Sequence, residues 1–196
     1  MARGDTKARM VRSAIELLCA HGATAVTLDA VLSASNAPRG SIYHHFPGGR
    51  DELLLTAGRT AADYLTTVVT DACRDGDPLR ALDGLGEFWR ATLESGDYER
   101  GCPMVALVVD SRADLPGAGE LVERTFTNWQ TLMTAVLESA GAPTTQAVSV
   151  ANLVIASLEG ATILCRAHRS TTPLDRTLDA LRPIVAAIGS TPANAT

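Results

Sequence analysis

The sequence has little of what defines several common protein classes. Aromatic residues make up 4% of the chain, and its four cysteines are more than 25 residues apart, with no C-x-x-C pair. That spacing excludes zinc fingers, zinc ribbons and a disulfide-dense scaffold. No uninterrupted apolar run reaches the ~18 residues of a membrane span, so we expect no spanning helix and no membrane partner.

Strand patterns, targeting segments and catalytic motifs are also missing. Apolar residues do not alternate with polar ones over any long stretch, which leaves β-strands without support. Residues 1–10 carry charges with no apolar core behind them, so we expect a cytoplasmic chain. Gly84 and Gly86 lack the third glycine of a nucleotide-binding fingerprint. The sequence shows no paired carboxylates, triad order or metal motif, and we therefore expect no enzyme, no cofactor and no metal.

The composition itself is that of a globular protein. Apolar residues make up 46% of the 196 residues, enough for a hydrophobic core in one domain or two small ones. The net charge of −5 is distributed unequally, with +3 in residues 1–50 and −8 in residues 51–196. A basic end of this kind can attract a polyanion if folding gathers its charges on one face.

Apolar residues recur at spacings of three and four along nearly the whole chain, which predicts an all-α fold of about nine helices. Three helices lie at the basic end. The first covers 6–21, the second begins after Thr27 as N-cap, and the third covers 39–45 after Pro38. The others are predicted at 50–74, 78–93, 103–110, 119–140, 144–168 and 173–188.

The second and third helices are a candidate helix-turn-helix. Two short helices joined by a tight turn, the second with a polar outer face, can place one helix in the DNA major groove. Arg39 can donate two hydrogen bonds to a guanine, and Gly40 keeps the helix tip thin. Ser41 and Tyr43 can contact bases or phosphates. This segment therefore indicates binding to double-stranded DNA.

The same segment resembles a known family. Val26-Thr27-Leu28 followed by APRGSIYHHF at residues 37–46 closely resembles the DNA-binding domain of TetR-family transcriptional regulators, and AIELL with HG at residues 14–22 fits that family's first helix. The resemblance covers about residues 5–60. The segments PGGRDEL at 47–53 and GCP at 101–103 resemble the LmrA/YxaF-like branch.

The resemblance implies an all-α homodimer with two domains in each subunit. A helix-turn-helix DNA-binding domain would occupy residues 1–49, and a ligand-binding and dimerisation domain residues 50–196, linked by the helix that starts near residue 50. The positions that typically contact phosphates are Thr27, Tyr43, His45 and Arg50. The positions at the base-facing tip are Arg39, Gly40, Ser41 and His44, whereas Ile42 and Phe46 occupy core positions.

The predicted C-terminal domain carries large apolar and amphipathic residues, with two polar ones, that we expect to line a cavity for a small-molecule inducer. They are Tyr64, Phe88, Trp89, Met104, Leu107, Val108, Phe126, Trp129, Met133, Glu159 and Thr162. A core without a cavity is the alternative interpretation. By family analogy, the last two helices form the dimer interface, through Ala156, Gly160, Ala161, Ile184, Ala187 and Ile188. Packing within one subunit is the alternative there.

These expectations combine into a ligand-responsive transcriptional repressor that leaves a near-palindromic operator when an inducer binds. Two other classes remain open: a small all-α enzyme with Cys102 or a histidine as the reactive group, and a helical binding protein that uses the C-terminal cavity. The missing catalytic motifs disfavour the first, and the intact tip at residues 39–41 disfavours the second. His44 and His45 project about 100° apart on a helix, which disfavours a shared metal ion.

Overall fold

The computed structural model describes residues 3–110 and 115–188. Within these ranges nine α-helices occur and no strand, so the predicted all-α fold of about nine helices is confirmed. The helices are α1 Arg3–His21, α2 Leu28–Ser35, α3 Ile42–His45, α4 Gly49–Ala72, α5 Pro78–Ser95, α6 Pro103–Asp110, α7 Ala118–Ser139, α8 Thr144–His168 and α9 Thr172–Ala186. Residues 190–196, which the sequence predicts to fray, lie outside the described ranges.

The helix ends follow local capping chemistry. Thr27 has extended backbone angles, and its Oγ1 accepts a hydrogen bond from Ala30 N at 3.1 Å, as expected of an N-cap. The predicted third helix differs at its start, because Arg39–Ser41 is a 3-10 turn and only Ile42–His45 is α-helical. Ser41 N donates to Pro38 O at 2.9 Å, the three-residue spacing of that tighter turn.

The chain divides into two compact units, the first of which comprises Met1–Tyr64 and Glu99–Arg124. It combines α1–α3 with α6 and the beginnings of α4 and α7. Its largest fully buried side chains are Met10, Leu18, Ile42, Phe46, Leu53, Leu54, Met104, Leu107 and Leu115. Gly101 N donates to Cys19 O at 2.9 Å, and Asp110 Oδ2 accepts from Ala23 N at 3.0 Å. These two bonds fix α6 to the end of α1 and the turn that follows it.

The second unit comprises Leu65–Tyr98 and Thr125–Thr196. Its described part holds the end of α4, α5, the rest of α7, α8 and α9 around a core that includes Leu82, Leu93, Met133, Leu137, Val154 and Leu174. Ion pairs Arg90–Asp175 and Arg182–Asp83, each 2.6 Å long, join α5 to α9. The hydrogen bond to Asp175 raises the pKa of Arg90 above its ordinary value.

One helix, α8, bears on the expectation that the chain has no spanning helix, and the test is whether any described helix is long and apolar enough to cross a membrane. By length and composition alone, α8 passes that test, and 44% of its most apolar stretch is buried inside the protein. The sequence-based expectation considered only uninterrupted apolar runs, whereas α8 intersperses polar residues such as Asn152 and Glu159. One such helix is weak evidence for a membrane, since core helices pass the same test.

Candidate functional site

The turn between α2 and α3 gives the predicted helix-turn-helix its shape. Asn36 ends α2 in the left-handed conformation, with φ of 49°, and its N–H bonds back to the carbonyls of Leu32 and Ser33. Asparagine tolerates this conformation better than most residues. Pro38 then fixes an extended residue before the 3-10 turn. The chain thereby reverses from one short helix into the next within three residues, Asn36 to Pro38.

The inner side of α3 is anchored in the first unit. Ile42 is 2% exposed and Phe46 is fully buried, so the prediction that both are core residues is confirmed. The Lys7 ammonium lies 5.2 Å from the centre of the Phe46 ring, a cation–π distance. Arg9 Nε donates to Ser35 O at 3.3 Å. Basic residues of α1 therefore hold both helices of the motif.

The outer side of α3 presents the predicted DNA contacts to solvent. Arg39, Gly40, Tyr43 and His44 are exposed, Tyr43 to 64%, while Ser41 and His45 are half-buried. Ser41 Oγ donates to Pro38 O at 2.5 Å, which orients the hydroxyl at the tip. Thr27 is also exposed, at the N-terminus of α2, where backbone N–H groups favour a phosphate. The exposed side chains of Arg39, Tyr43 and His44 thus lie on one short segment, and Thr27 lies at the start of the preceding helix.

Arg50 occupies a different position from the others. Its Nε donates to Val26 O at 2.8 Å and its Nη2 to Ala23 O at 2.6 Å, and the side chain is 35% exposed. The guanidinium therefore binds the 3-10 turn that leads into Thr27. Its contact with a DNA phosphate stays a prediction, and two of its nitrogens already donate hydrogen bonds to backbone carbonyls.

Asp110 is a residue of this region that the sequence analysis missed. It ends α6 and accepts a hydrogen bond from Ala23 N, close to Gly22. Gly22 has φ of 82° and ψ of 175°, a conformation nearly restricted to glycine. Asp110 and Arg50 therefore hold opposite polar groups of one residue, Ala23 N and Ala23 O.

A cavity lies within the second unit. It is bounded by α4, α5, α7 and α8, and the space between its lining atoms, together with open solvent at its mouth, is about 340 Å³. Its lining residues are Leu65, Val68, Val69, Leu85, Phe88, Trp89, Trp129, Ile155, Leu158 and Glu159. Trp129 Nε1 donates to Thr66 Oγ1 at 3.0 Å, which fixes the orientation of that ring.

Four of the predicted ligand residues, Phe88, Trp89, Trp129 and Glu159, therefore lie together. Met133 and Thr162 are buried in the second unit and Phe126 is half-buried there, but none of the three is among the lining residues. The structure places Tyr64, Met104, Leu107 and Val108 in the first unit. The aliphatic part of the lining was missed, because its residues have the same periodicity as ordinary core.

The predicted dimer residues fall into two groups. Ala156, Ile184 and Ala187 are exposed and Gly160 is partly exposed, whereas Ala161 and Ile188 are buried within the subunit. Leu153, Ile163 and Leu164 of α8 are also exposed, to between 40% and 54%. The last two helices thus show apolar side chains to solvent.

Three of the four cysteines, Cys73, Cys102 and Cys165, are buried, as small hydrophobic residues would be. Burial raises the pKa of Cys73 to about 11 and also raises the pKa of Cys165. Such thiols are protonated at neutral pH and are weak nucleophiles. Cys102 is 5% exposed. Within residues 3–110 and 115–188, no three His, Cys, Asp or Glu side chains gather into a group that could hold a metal ion.

An exposed polar tip on a short helix, anchored by two buried residues and followed by a larger helical unit, defines a helix-turn-helix protein. Comparison with known proteins gives the family. Residues 11–57 match the model of bacterial regulatory proteins of the tetR family, and residues 78–180 match the C-terminal domain of LmrA/YxaF-like transcriptional regulators. The chain belongs to the TetR family of transcriptional regulators, in its LmrA/YxaF-like branch.

Individual relatives agree with this assignment. An uncharacterized HTH-type transcriptional regulator of Mycobacterium tuberculosis, Rv0196, is 36% identical over 91% of this chain and 93% of its own length. The HTH-type transcriptional regulator LmrA of Bacillus subtilis is 24% identical over 89% of this chain and 93% of its own. The crystal structure of a TetR regulatory protein from Rhodobacter sphaeroides matches with a TM-score of 0.81 at 20% identity, covering 90% and 97% of the two chains.

Proposed function

We propose that this protein is a cytoplasmic, homodimeric transcriptional repressor that leaves a near-palindromic operator when a small-molecule inducer binds its second unit. One observation carries the proposal: Arg39, Gly40, Tyr43 and His44 are exposed on a helix whose Ile42 and Phe46 are buried. Such a helix can enter a major groove without losing its own packing. Residues 1–49 would bind DNA, and residues 50–196 would bind the inducer and the second subunit.

The DNA contacts divide into two kinds. Arg39, Gly40, Ser41 and His44 would read base edges in the major groove, with Arg39 donating both hydrogen bonds to a guanine. Thr27, Tyr43, His45 and Arg50 would contact phosphates and fix the position of the helix. In a dimer, two such helices enter grooves one helical turn of DNA apart, ~34 Å, or a small multiple. The operator is therefore expected to be near-palindromic.

Arg39→Ala is expected to relax sequence preference at one operator position and to weaken operator binding by ~1–3 kcal/mol, because a bidentate contact is lost. The measurement is a binding titration against the operator and against random DNA. Arg124→Ala, which removes the same charge from an exposed position on α7, is the control. An equal loss on both DNAs would refute a base contact by Arg39.

The exposed faces of α8 and α9 support dimerisation through these two helices. Ala156 and Gly160 permit close approach of helices, and Leu153, Ile163, Leu164 and Ile184 supply apolar area to bury. Two helices from each subunit would form a four-helix interface with twofold symmetry. Burial of this apolar face in a dimer would also account for the composition of α8, which is as apolar as that of a membrane helix.

Gly160→Glu is expected to convert dimers into monomers, because it places a charge on the face that the second subunit would cover. Sedimentation velocity measures the result. A Cβ at Gly160 has no heavy atom within 4 Å, so the subunit itself tolerates a side chain there. Ala91→Glu, at an exposed position on α5, is the control. A Gly160→Glu protein that sediments as the wild type would place the interface elsewhere. A charge at Ala161 tests less cleanly, since that residue is buried within the subunit.

The inducer would act by differential affinity for two conformations. A ligand that binds the second unit more tightly in the conformation with the wrong spacing of DNA-binding helices lowers operator affinity. The decrease equals the difference between the ligand's affinities for the two conformations.

The salt dependence of DNA binding tests the proposed function as a whole. A regulator that contacts several phosphates loses affinity steeply as salt rises, with a slope of about −0.9 per phosphate contact. A flat salt dependence would contradict the proposal.

A further inference from the structure

The beginning of α1 brings a positive charge to the end of α3. Lys7 is exposed, and its ammonium lies over the Phe46 ring, 5.2 Å from the ring centre. Phe46 follows α3 directly and is fully buried, whereas His44 in α3 is exposed. The Lys7 charge therefore lies beside the end of the helix that carries the candidate DNA contacts. Lys7 precedes residues 11–57, which match the family model, and is not among the DNA contacts predicted from the sequence.

The segment that follows α3 carries negative charge. Asp51 and Glu52 lie in the first turn of α4, and Asp51 is exposed. Glu52 Oε2 accepts a hydrogen bond from Gly48 N at 2.8 Å, so this N–H already faces a carboxylate. Carboxylates near the end of α3 repel DNA phosphates unless a cation offsets them. Lys7 supplies a cation there, whereas Arg50 is held at the turn before α2 by its bonds to Ala23 O and Val26 O.

Docking of α3 in a major groove would place Lys7 near the edge of the groove. A recognition helix reads bases with its N-terminal residues, which here follow the 3-10 turn Arg39–Ser41. The opposite end of the helix then lies nearer to the sugar-phosphate backbone, which receives most protein–DNA hydrogen bonds. A lysine ammonium is a compact charge on a flexible chain, which suits a phosphate oxygen better than a planar base edge.

We infer that Lys7 is a phosphate contact that holds the end of α3 against one strand of the DNA. This inference rests on the proposed function, because it adds a residue to the same DNA interface. A phosphate contact is independent of base sequence and releases a counterion from the DNA. Lys7 therefore contributes to the affinity for every DNA sequence and not to the choice among sequences.

Lys7→Gln removes the charge and keeps a polar side chain. At near-physiological salt it is expected to weaken binding about fivefold, both to a selected genomic fragment and to random DNA, because one phosphate contact is lost. The slope of affinity against salt should flatten by about one, and the preference for the selected fragment should not change. Lys7→Arg keeps the charge and should retain the slope of the wild type.

Arg12→Gln is the matched control. Arg12 is exposed on α1, five residues after Lys7, which places it about 140° further around the helix. It makes the same charge change and should leave the salt slope unaltered. A Lys7 that acted only by packing on Phe46 would lower the urea midpoint of Lys7→Gln and leave the slope as in the wild type. The slope therefore separates a DNA contact from a structural role.

Chemical modification tests the same contact without a substitution, because Lys7 is the only lysine in the sequence. Acetylation by an N-hydroxysuccinimide ester removes the charge, and reductive dimethylation keeps it. We expect the acetylated protein to bind DNA like Lys7→Gln and the dimethylated protein to bind like the wild type. Bound DNA should slow acetylation of Lys7, measured by mass spectrometry of its peptide. Lys7→Arg, treated identically, controls for reaction at the N-terminal amine.

Two results would overturn the inference: a wild-type salt slope in Lys7→Gln, or acetylation of Lys7 at the same rate with and without bound DNA. Either result, obtained while the wild type still selects specific fragments, refutes the Lys7 contact alone. A wild-type protein that binds no DNA would overturn both the inference and the proposed function.

Discussion

Gly22→Ala is expected to lower the free energy of unfolding by about 3 kcal/mol, from backbone strain and a lost hydrogen bond. Gly22 has φ of 82° and ψ of 175°, where a Cβ is strongly disfavoured. A Cβ built there would also overlap Asp110 Oδ2, the atom that accepts from Ala23 N. Because Ala23 leads into α2, we expect operator affinity to fall more than tenfold. Urea unfolding followed by circular dichroism measures the stability.

A matched variant separates strain from overlap. Gly117 has φ of 86°, and a Cβ there has no heavy atom within 4 Å, so Gly117→Ala carries backbone strain alone. It should lower stability less than Gly22→Ala and should leave operator affinity near that of the wild type. Adding Asp110→Ala to Gly22→Ala removes the overlap but not the backbone strain. If the overlap contributes to the lost stability, the double variant is expected to be more stable than Gly22→Ala. Wild-type stability in Gly22→Ala would contradict this description of the turn.

Arg50→Ala is expected to have the second largest effect, with about 2 kcal/mol of stability lost as two charged hydrogen bonds to carbonyls disappear. These bonds hold Ala23 O and Val26 O just before the N-cap of α2. DNA affinity should fall on operator and random DNA alike, and the salt slope should flatten by about one if the remaining nitrogen contacts a phosphate. Arg59→Ala, an exposed residue on the same helix, is the control.

Arg50→Lys distinguishes the two roles of this residue. Lysine keeps the positive charge but lacks the planar fork that donates to two carbonyls at once. We expect this variant to keep the salt slope of the wild type and to lose most of the stability that Arg50→Ala loses. A lysine variant as stable as the wild type would show that charge rather than geometry holds the turn.

Local features of the sequence predicted local structure well. The apolar spacing of Ile42 and Phe46 identified the buried side of α3, and the hydroxyl of Thr27 identified the start of α2. The exposure of Tyr43 and His44 follows from the same pattern, because both lie between the two core positions on a short helix and face outward. For this reason the fold class and the candidate DNA interface could be predicted from the sequence.

Contacts between segments that are distant in the sequence could not be predicted from it. The bond from Ala23 N to Asp110 joins residues 87 apart, and nothing in α6 distinguishes its terminal aspartate from a solvated one. The cavity presents a similar limit. Phe126 and Trp129 are three apart on α7, yet only Trp129 is among the lining residues, and the difference depends on how that helix is rotated in its unit. Periodicity places residues on a face but does not say which face borders empty space.

We propose that a dimer of this chain reads a specific DNA sequence through α3. Selection of genomic fragments on the purified protein at near-physiological salt, followed by sequencing, tests it most directly. We expect enrichment of a near-palindrome whose half-sites are separated by one helical turn, ~34 Å, or a small multiple. The selection is repeated with protein that has been unfolded and refolded to remove co-purified ligand. Retention of fragments without a shared motif, or no retention at all, by the refolded protein would contradict specific DNA reading by a dimer.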